Sequence, residues 1–146
     1  MKILLPDGAA PNADPILDIL AKYKTIAVVG LSSNPARPSY GVTEYMQSAG
    51  YHIVPVNPNE REVLGEQSYA SLEDVPQKIE IVDIFRRPEE VPPVVDAAIR
   101  AGAKVVWMQL GIANEAAAKK AQAAGLTVVM DACILVEHKK RRQQLS

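Results

Sequence analysis

Glycine, serine and arginine gather in one short stretch of this chain, where Gly30 is followed by Ser32, Ser33, Arg37 and Ser39 and interrupted by Pro35 and Pro38. Hydroxyls and a guanidinium fork match phosphate oxygens, and a glycine lets the backbone approach them closely, so this set is suited to holding an anion without a metal. The residues before it, 25–29, read TIAVV, a buried-strand run, and those after it, 42–50, have helical apolar spacing ending in Gly50. The loop therefore joins the carboxyl end of a strand to the amino end of a helix. Free amide groups and the helix dipole converge there, which makes the stretch a candidate phosphate-binding turn.

The elements that must position it follow one rhythm, apolar runs alternating with helical patterns. Strands are predicted over 25–30, 52–56, 79–85, 104–109 and 126–130. Helices are predicted over 15–23, where Asp14 and Pro15 supply an N-cap and an N1 proline, and over 40–49, 89–101 and 114–124. The first dozen residues read as a flexible start, and 60–77 as a polar, irregular connection with one turn at 71–74. Near-continuous Val/Ile runs imply strands covered on both faces, as in a parallel sheet. The expected fold is α/β, a single Rossmann-like three-layer domain over residues 1–146 with a five-stranded parallel sheet. Right-handed crossovers suggest the order 3-2-1-4-5, counting those strands along the chain.

A length of 146 residues suits one domain, and 48% hydrophobic with 23% charged residues is ordinary globular composition. The net charge of −1 gives no global basic field for nucleic acid or an anionic membrane. No leader pattern and no membrane-length apolar run is present, and the single cysteine, Cys133, has no partner for a disulfide or zinc site. A cytoplasmic protein is expected.

In such a sheet ligands sit at the carboxyl ends of the strands. Those ends carry the 30–40 loop, Asn57 and Pro58, Phe85 with Arg86 and Arg87, Gln109 with Gly111, and 131–133. A nicotinamide or flavin dinucleotide fits poorly: Ser32 stands where the G-x-G-x-x-G fingerprint wants its second glycine, and Asn57 where it wants a ribose-binding acid. No G-x-x-x-x-G-K-[ST] motif occurs.

Five segments together resemble the stand-alone CoA-binding domain family, small Rossmann-like proteins similar to the N-terminal CoA-binding domain of the succinyl-CoA synthetase α subunit. They are residues 29–39 (VGLSSNPARPS), 50–58 (GYHIVPVNP), 82–86 (VDIFR), 106–111 (VWMQLG) and 130–138 (MDACILVEH), and the likeness spans about 22–140. The resemblance implies that coenzyme A or an acyl-CoA binds at the strand ends. Gly30, Ser32, Pro35, Arg37 and Ser39 would form the phosphate turn, and Asn57 and Pro58 the adjacent crevice. Phe85 and Arg86 would meet the adenosine or its 3′-phosphate, with Gln109 and Gly111 flanking the pantetheine. One departure is Ala132, where the family often carries arginine.

The favoured function is noncatalytic coenzyme A binding. The alternatives are the CoA-binding component of an acyl-CoA ligase acting with an unidentified partner chain, and an NAD-binding Rossmann protein. Other reactive side chains have ordinary explanations: Cys133 as a small buried residue rather than a thiol facing the ligand, and His52 and His138 as structural or solvated groups without partners at triad spacing. Asp83, inside an apolar strand, needs a hydrogen-bond donor from a neighbouring segment. The tail 137–142 (EHKKRR) reads as a solvated helix end.

Overall fold

In the computed structural model, which describes residues 1–145, β1 (Lys2–Leu4) opens the chain and α1 (Pro15–Lys22) follows, its first turn fixed as the sequence requires. Asp14 accepts from the Leu17 amide at 3.2 Å, with Pro15 immediately inside the helix. Then come β2 (Thr25–Val29), α2 (Pro38–Ser48) and β3 (His52–Val56), followed by a connection containing the hairpin β4 (Glu62–Val63) and β5 (Glu66–Gln67) and a 3-10 turn at Leu72–Asp74. The remainder alternates as β6 (Ile81–Ile84), α3 (Val91–Arg100), β7 (Val105–Met108), α4 (Glu115–Ala123) and β8 (Thr127–Met130), ending with α5 (Ile134–Lys140) and α6 (Arg142–Leu145).

The main sheet has six strands in the order β1-β8-β7-β6-β2-β3, all parallel except β1, which runs antiparallel to β8. The α/β, Rossmann-like three-layer expectation holds, but the strand count and order need correction. Counted along the chain, the parallel strands lie 2-1-3-4-5 rather than 3-2-1-4-5, and β1 adds a sixth. Pro55 gives the physical reason. His52 N–H donates inward to Lys24 O at 2.8 Å, so alternate residues 53, 55 and 57 face outward, where Pro55 O and Asn57 N–H bond to Tyr69. Proline has no N–H for a full ladder on that side, which makes β3 an edge strand and leaves β6 to pair with β2. β1 escapes local reading because its three residues pair across nearly the whole chain, Lys2 opposite Met130.

Strand alternation divides the core into two halves. Val29, Val82, Ile84, Val106 and Met108 pack beneath α3 and α4, and Ile26, Val28, Ile81, Val105 and Trp107 beneath α1, α2 and α5. The tail is a second correction, since much of it is not solvated. Glu137 and His138 are buried, and Arg141 grips Asp14 through bonds of 2.9 and 3.0 Å while also reaching Glu137 Oε1 at 3.0 Å. Lys139 and Lys140 alone among residues 137–140 stay exposed, because α5 is amphipathic and lays its other face on the core.

Candidate functional site

The 2-1-3-4-5 order moves the switch point to the gap between β2 and β6, whose following helices, α2 and α3, cover opposite faces of the sheet. A cleft of about 850 Å³ opens at the carboxyl ends of these strands. It lies within the size range of small-molecule sites.

One wall is the loop after β2. Gly30 has φ of 89°, and a Cβ there would collide with the Phe85 carbonyl oxygen, so only glycine lets the β2 and β6 ends close together. Beyond it the serines organise the turn. Ser39 Oγ accepts from Ser32 N–H at 3.1 Å, and Ser32 Oγ accepts from Asn34 N–H at 3.0 Å, which leaves both O–H groups available to donate. Arg37 occupies the N-cap of α2 and makes no side-chain cap bond, whereas Asp14 and Asn114 do so for α1 and α4. The amino end of α2 thus keeps its attraction for an anion.

The opposite wall comes from β6 and β7. Phe85 and Arg86 line the cleft half-buried, while the exposed Arg87 at the rim is committed to Glu89 at 3.6 Å and Glu90 at 2.7 Å. Arg37 and Arg86 have no ion-pair partner among the described residues. Two unneutralised guanidinium groups therefore face one space whose other lining includes Val42, Leu110 and Ile112.

The floor is polar and tightly bonded. Asn57 Nδ2 donates to Leu31 O at 3.0 Å and its Oδ1 accepts from Asn59 N–H at 3.0 Å, so this amide clamps the 31–39 loop to the end of β3. Gln109 donates to Asp83 Oδ1 at 2.6 Å and accepts from Ile134 N–H at 3.4 Å. Burial pushes the Asp83 carboxyl up to about 7, the Gln109 bond opposing the shift in part. The donor that Asp83 was expected to need is Gln109.

Of the residues singled out in the sequence, Gly30, Ser32, Arg37, Ser39, Asn57, Phe85, Arg86 and Gln109 line this cleft. Pro35, Pro58 and Gly111 do not. Pro35 is exposed within the turn, Pro58 borders a smaller hollow on the α3 side of Arg86, and Gly111, with φ of 83°, bonds through its amide to Asp131 Oδ1 at 2.7 Å. Gly111 still sets the wall, since its neighbours Leu110 and Ile112 both reach the cleft.

Glu60, Val42, Asn59, Pro88 and Ile112 also line the cleft without a local signal that marks them as site residues, and Glu60 is the charged one. It accepts from Ser33 N–H at 2.8 Å. It stands just past a strand end and is brought back by a turn in which Glu60 N–H donates to Asn57 O at 3.2 Å.

Reactive groups are sparse. Cys133 corrects the expectation of a small buried residue: it is half-buried and borders the cleft. His138 is buried, 2.8 Å from the Tyr45 hydroxyl and edge-on to Tyr51, and His52 begins β3 at the end of the sheet away from the cleft. Among the described residues no group of His, Cys, Asp and Glu could hold a metal ion, and no helix is long and apolar enough to cross a membrane.

The chain is similar to several known proteins in sequence and fold. The chain is 44% identical over 128 residues to the uncharacterized protein YneT of Bacillus subtilis (strain 168), covering 88% of this chain and 95% of that one. A hypothetical protein from Pyrococcus horikoshii OT3 superposes with a TM-score of 0.85 at 43% identity, over 96% of this chain and 98% of its own. An ADP-forming acetate-CoA ligase II from Archaeoglobus fulgidus is 29% identical over 95 residues, 63% of this chain but 14% of the ligase. The likeness to the ligase is to one small part of a far longer protein. The model of the CoA binding domain matches residues 24–139, and with that extent of agreement the chain belongs to the CoA-binding domain family.

Proposed function

We propose that this protein binds coenzyme A, free or acylated, in the cleft between β2 and β6, and that its own residues perform no bond-making step. The observation that carries the reading is the pairing of an uncapped α2 amino end with two guanidinium groups, Arg37 and Arg86, that have no ion-pair partner among the described residues. Coenzyme A bears phosphates at separated positions, and a site with cations on two walls answers that distribution. In this reading Gly30, Ser32, Arg37 and Ser39 receive the pyrophosphate, with Pro35 shaping the turn. Asn57 holds that turn in place, and Pro58 stiffens the chain beside Arg86. Phe85 and Arg86 meet the adenosine and its 3′-phosphate, and Gln109, with the wall set by Gly111, borders the pantetheine arm.

The likeness to part of an acetate-CoA ligase supports a second reading, in which the chain supplies the coenzyme to a partner that carries out acyl transfer. Both readings require the same cleft. Thermal denaturation tests them against a dinucleotide site: a ligand bound only by the native protein adds about 2.7 kcal/mol at a hundredfold excess over its dissociation constant. Coenzyme A should raise the midpoint and NAD should leave it unchanged. The reverse pattern would overturn the proposal.

A further inference from the structure

The amides of the 30–39 turn are mostly satisfied within the turn itself: Ser32 N–H on Ser39 Oγ, Asn34 N–H on Ser32 Oγ, and Ala36 N–H on Asn34 Oδ1 at 2.9 Å. Ser33 differs. Its amide is taken by a carboxylate from another part of the fold, Glu60 Oε2 at 2.8 Å. The contact is built rather than incidental, because the Asn57 clamp fixes both partners. Asn57 O receives the Glu60 amide, Asn57 Oδ1 the Asn59 amide, and Asn57 Nδ2 reaches back to Leu31 O in the serine loop. The Ser33 amide, and then its hydroxyl, hold the Glu60 carboxyl below the usual range, so the group is charged at neutral pH.

Ser33 is exposed and only Glu60 of the pair lines the cleft, so on the reading of this turn as the phosphate site the carboxylate oxygen stands at the mouth of the cleft where a phosphate oxygen would otherwise bond the amide. Two anions sharing one N–H repel each other, so either the carboxylate moves or the phosphate is held poorly. Resting on the reading of this cleft as a coenzyme A site, we propose that Glu60 is a built-in competitor for the phosphate turn, displaced from Ser33 when ligand binds. It sets an affinity threshold, the same cost to every ligand that takes the turn. A small anion that gains only the turn does not offset the displacement, whereas a ligand with several phosphates that also engages Arg37 and Arg86 does. Glu60 thereby lowers affinity for all phosphate ligands and spares the site from occupation by simple anions.

The test is calorimetric titration of wild type, Glu60→Ala and Glu60→Gln with coenzyme A, inorganic pyrophosphate and pantetheine, which lacks phosphate. The glutamine variant keeps an acceptor for Ser33 while removing the charge, so it guards against a loop that loosens in the alanine variant. Glu60→Ala should bind coenzyme A and pyrophosphate about tenfold more tightly, the equivalent of one charge-assisted hydrogen bond given up. Glu60→Gln should gain in the same direction, and pantetheine binding should not change. Coenzyme A binding by wild type with no gain in either variant would overturn the competitor role and leave the coenzyme reading standing. Tighter pyrophosphate binding by the variants with no coenzyme A binding by any of the three would keep the competitor and remove the coenzyme reading. No binding of either phosphate probe to any of them would remove both.

Discussion

At the scale of single residues, the cleft separates side chains that can receive a ligand from those that hold the receivers in place. Arg37 belongs to the first kind. Its guanidinium has no ion-pair partner among the described residues, so Arg37→Ala should leave the melting temperature near wild type and weaken coenzyme A binding by roughly 10- to 150-fold, the range of one hydrogen bond to a charged group. Equal affinity in the variant, measured by calorimetry, would remove Arg37 from the site. Asp83 belongs to the second kind. Its carboxyl is raised to about 7 when folded, so between the ordinary unfolded value near 3.9 and about 7 the native state binds more protons than the unfolded one. Stability attributable to Asp83 should therefore fall as pH rises across that window and level off above it. Asp83→Asn, which still accepts from Gln109, should abolish that fall and exceed wild type in stability at pH 8 by on the order of 2–4 kcal/mol, with little difference at about pH 3.5, below the unfolded value. Urea denaturation at both pH values reads the difference.

At the scale of elements, the Asn57 turn after β3 and the serine loop after β2 behave as one unit because a single buried amide bonds to both. Asn57→Ala leaves the Leu31 carbonyl and the Asn59 amide without that partner. It should cost about 1–3 kcal/mol of stability in denaturant titration and weaken coenzyme A even though Asn57 need not touch it. Gly30→Ala meets a different obstacle, positive φ and the Phe85 carbonyl, and should destabilise by about 1–3 kcal/mol by overpacking. Much of this unit was legible in the sequence. Gly30, Ser32, Arg37 and Ser39 announce the turn by type and by their place between strand and helix, because local chemistry decides it. Pairing between strands was less legible. Pro55 was a visible edge signal that outweighs the preference for the 3-2-1-4-5 order, while β1 depends on contact with β8 and leaves no trace in its own three residues. Glu60 was hidden for the same reason: its role comes from a turn that carries it to Ser33, across 27 positions of sequence. The buried side of the tail shows itself only once Asp14 is known to face Arg141.

At the scale of the whole molecule, the strand order decides where function can reside. With β6 beside β2, the two crossover helices leave opposite faces of the sheet and open the cleft between the Gly30 turn and Phe85–Arg86, bringing cations from separate elements into one space. The histidines stand apart from it, one in the tyrosine contact behind α2 and one at the far end of β3. On the proposed reading, this cleft receives a ligand carrying several phosphates. Isothermal titration with coenzyme A, with NAD and ATP as parallel titrants and any co-purified ligand first excluded by mass spectrometry, tests that claim most directly. The account predicts saturable binding of coenzyme A at micromolar strength or better, and much weaker binding of the other two. Heat from NAD or ATP with none from coenzyme A, or no heat from any of the three, would contradict it.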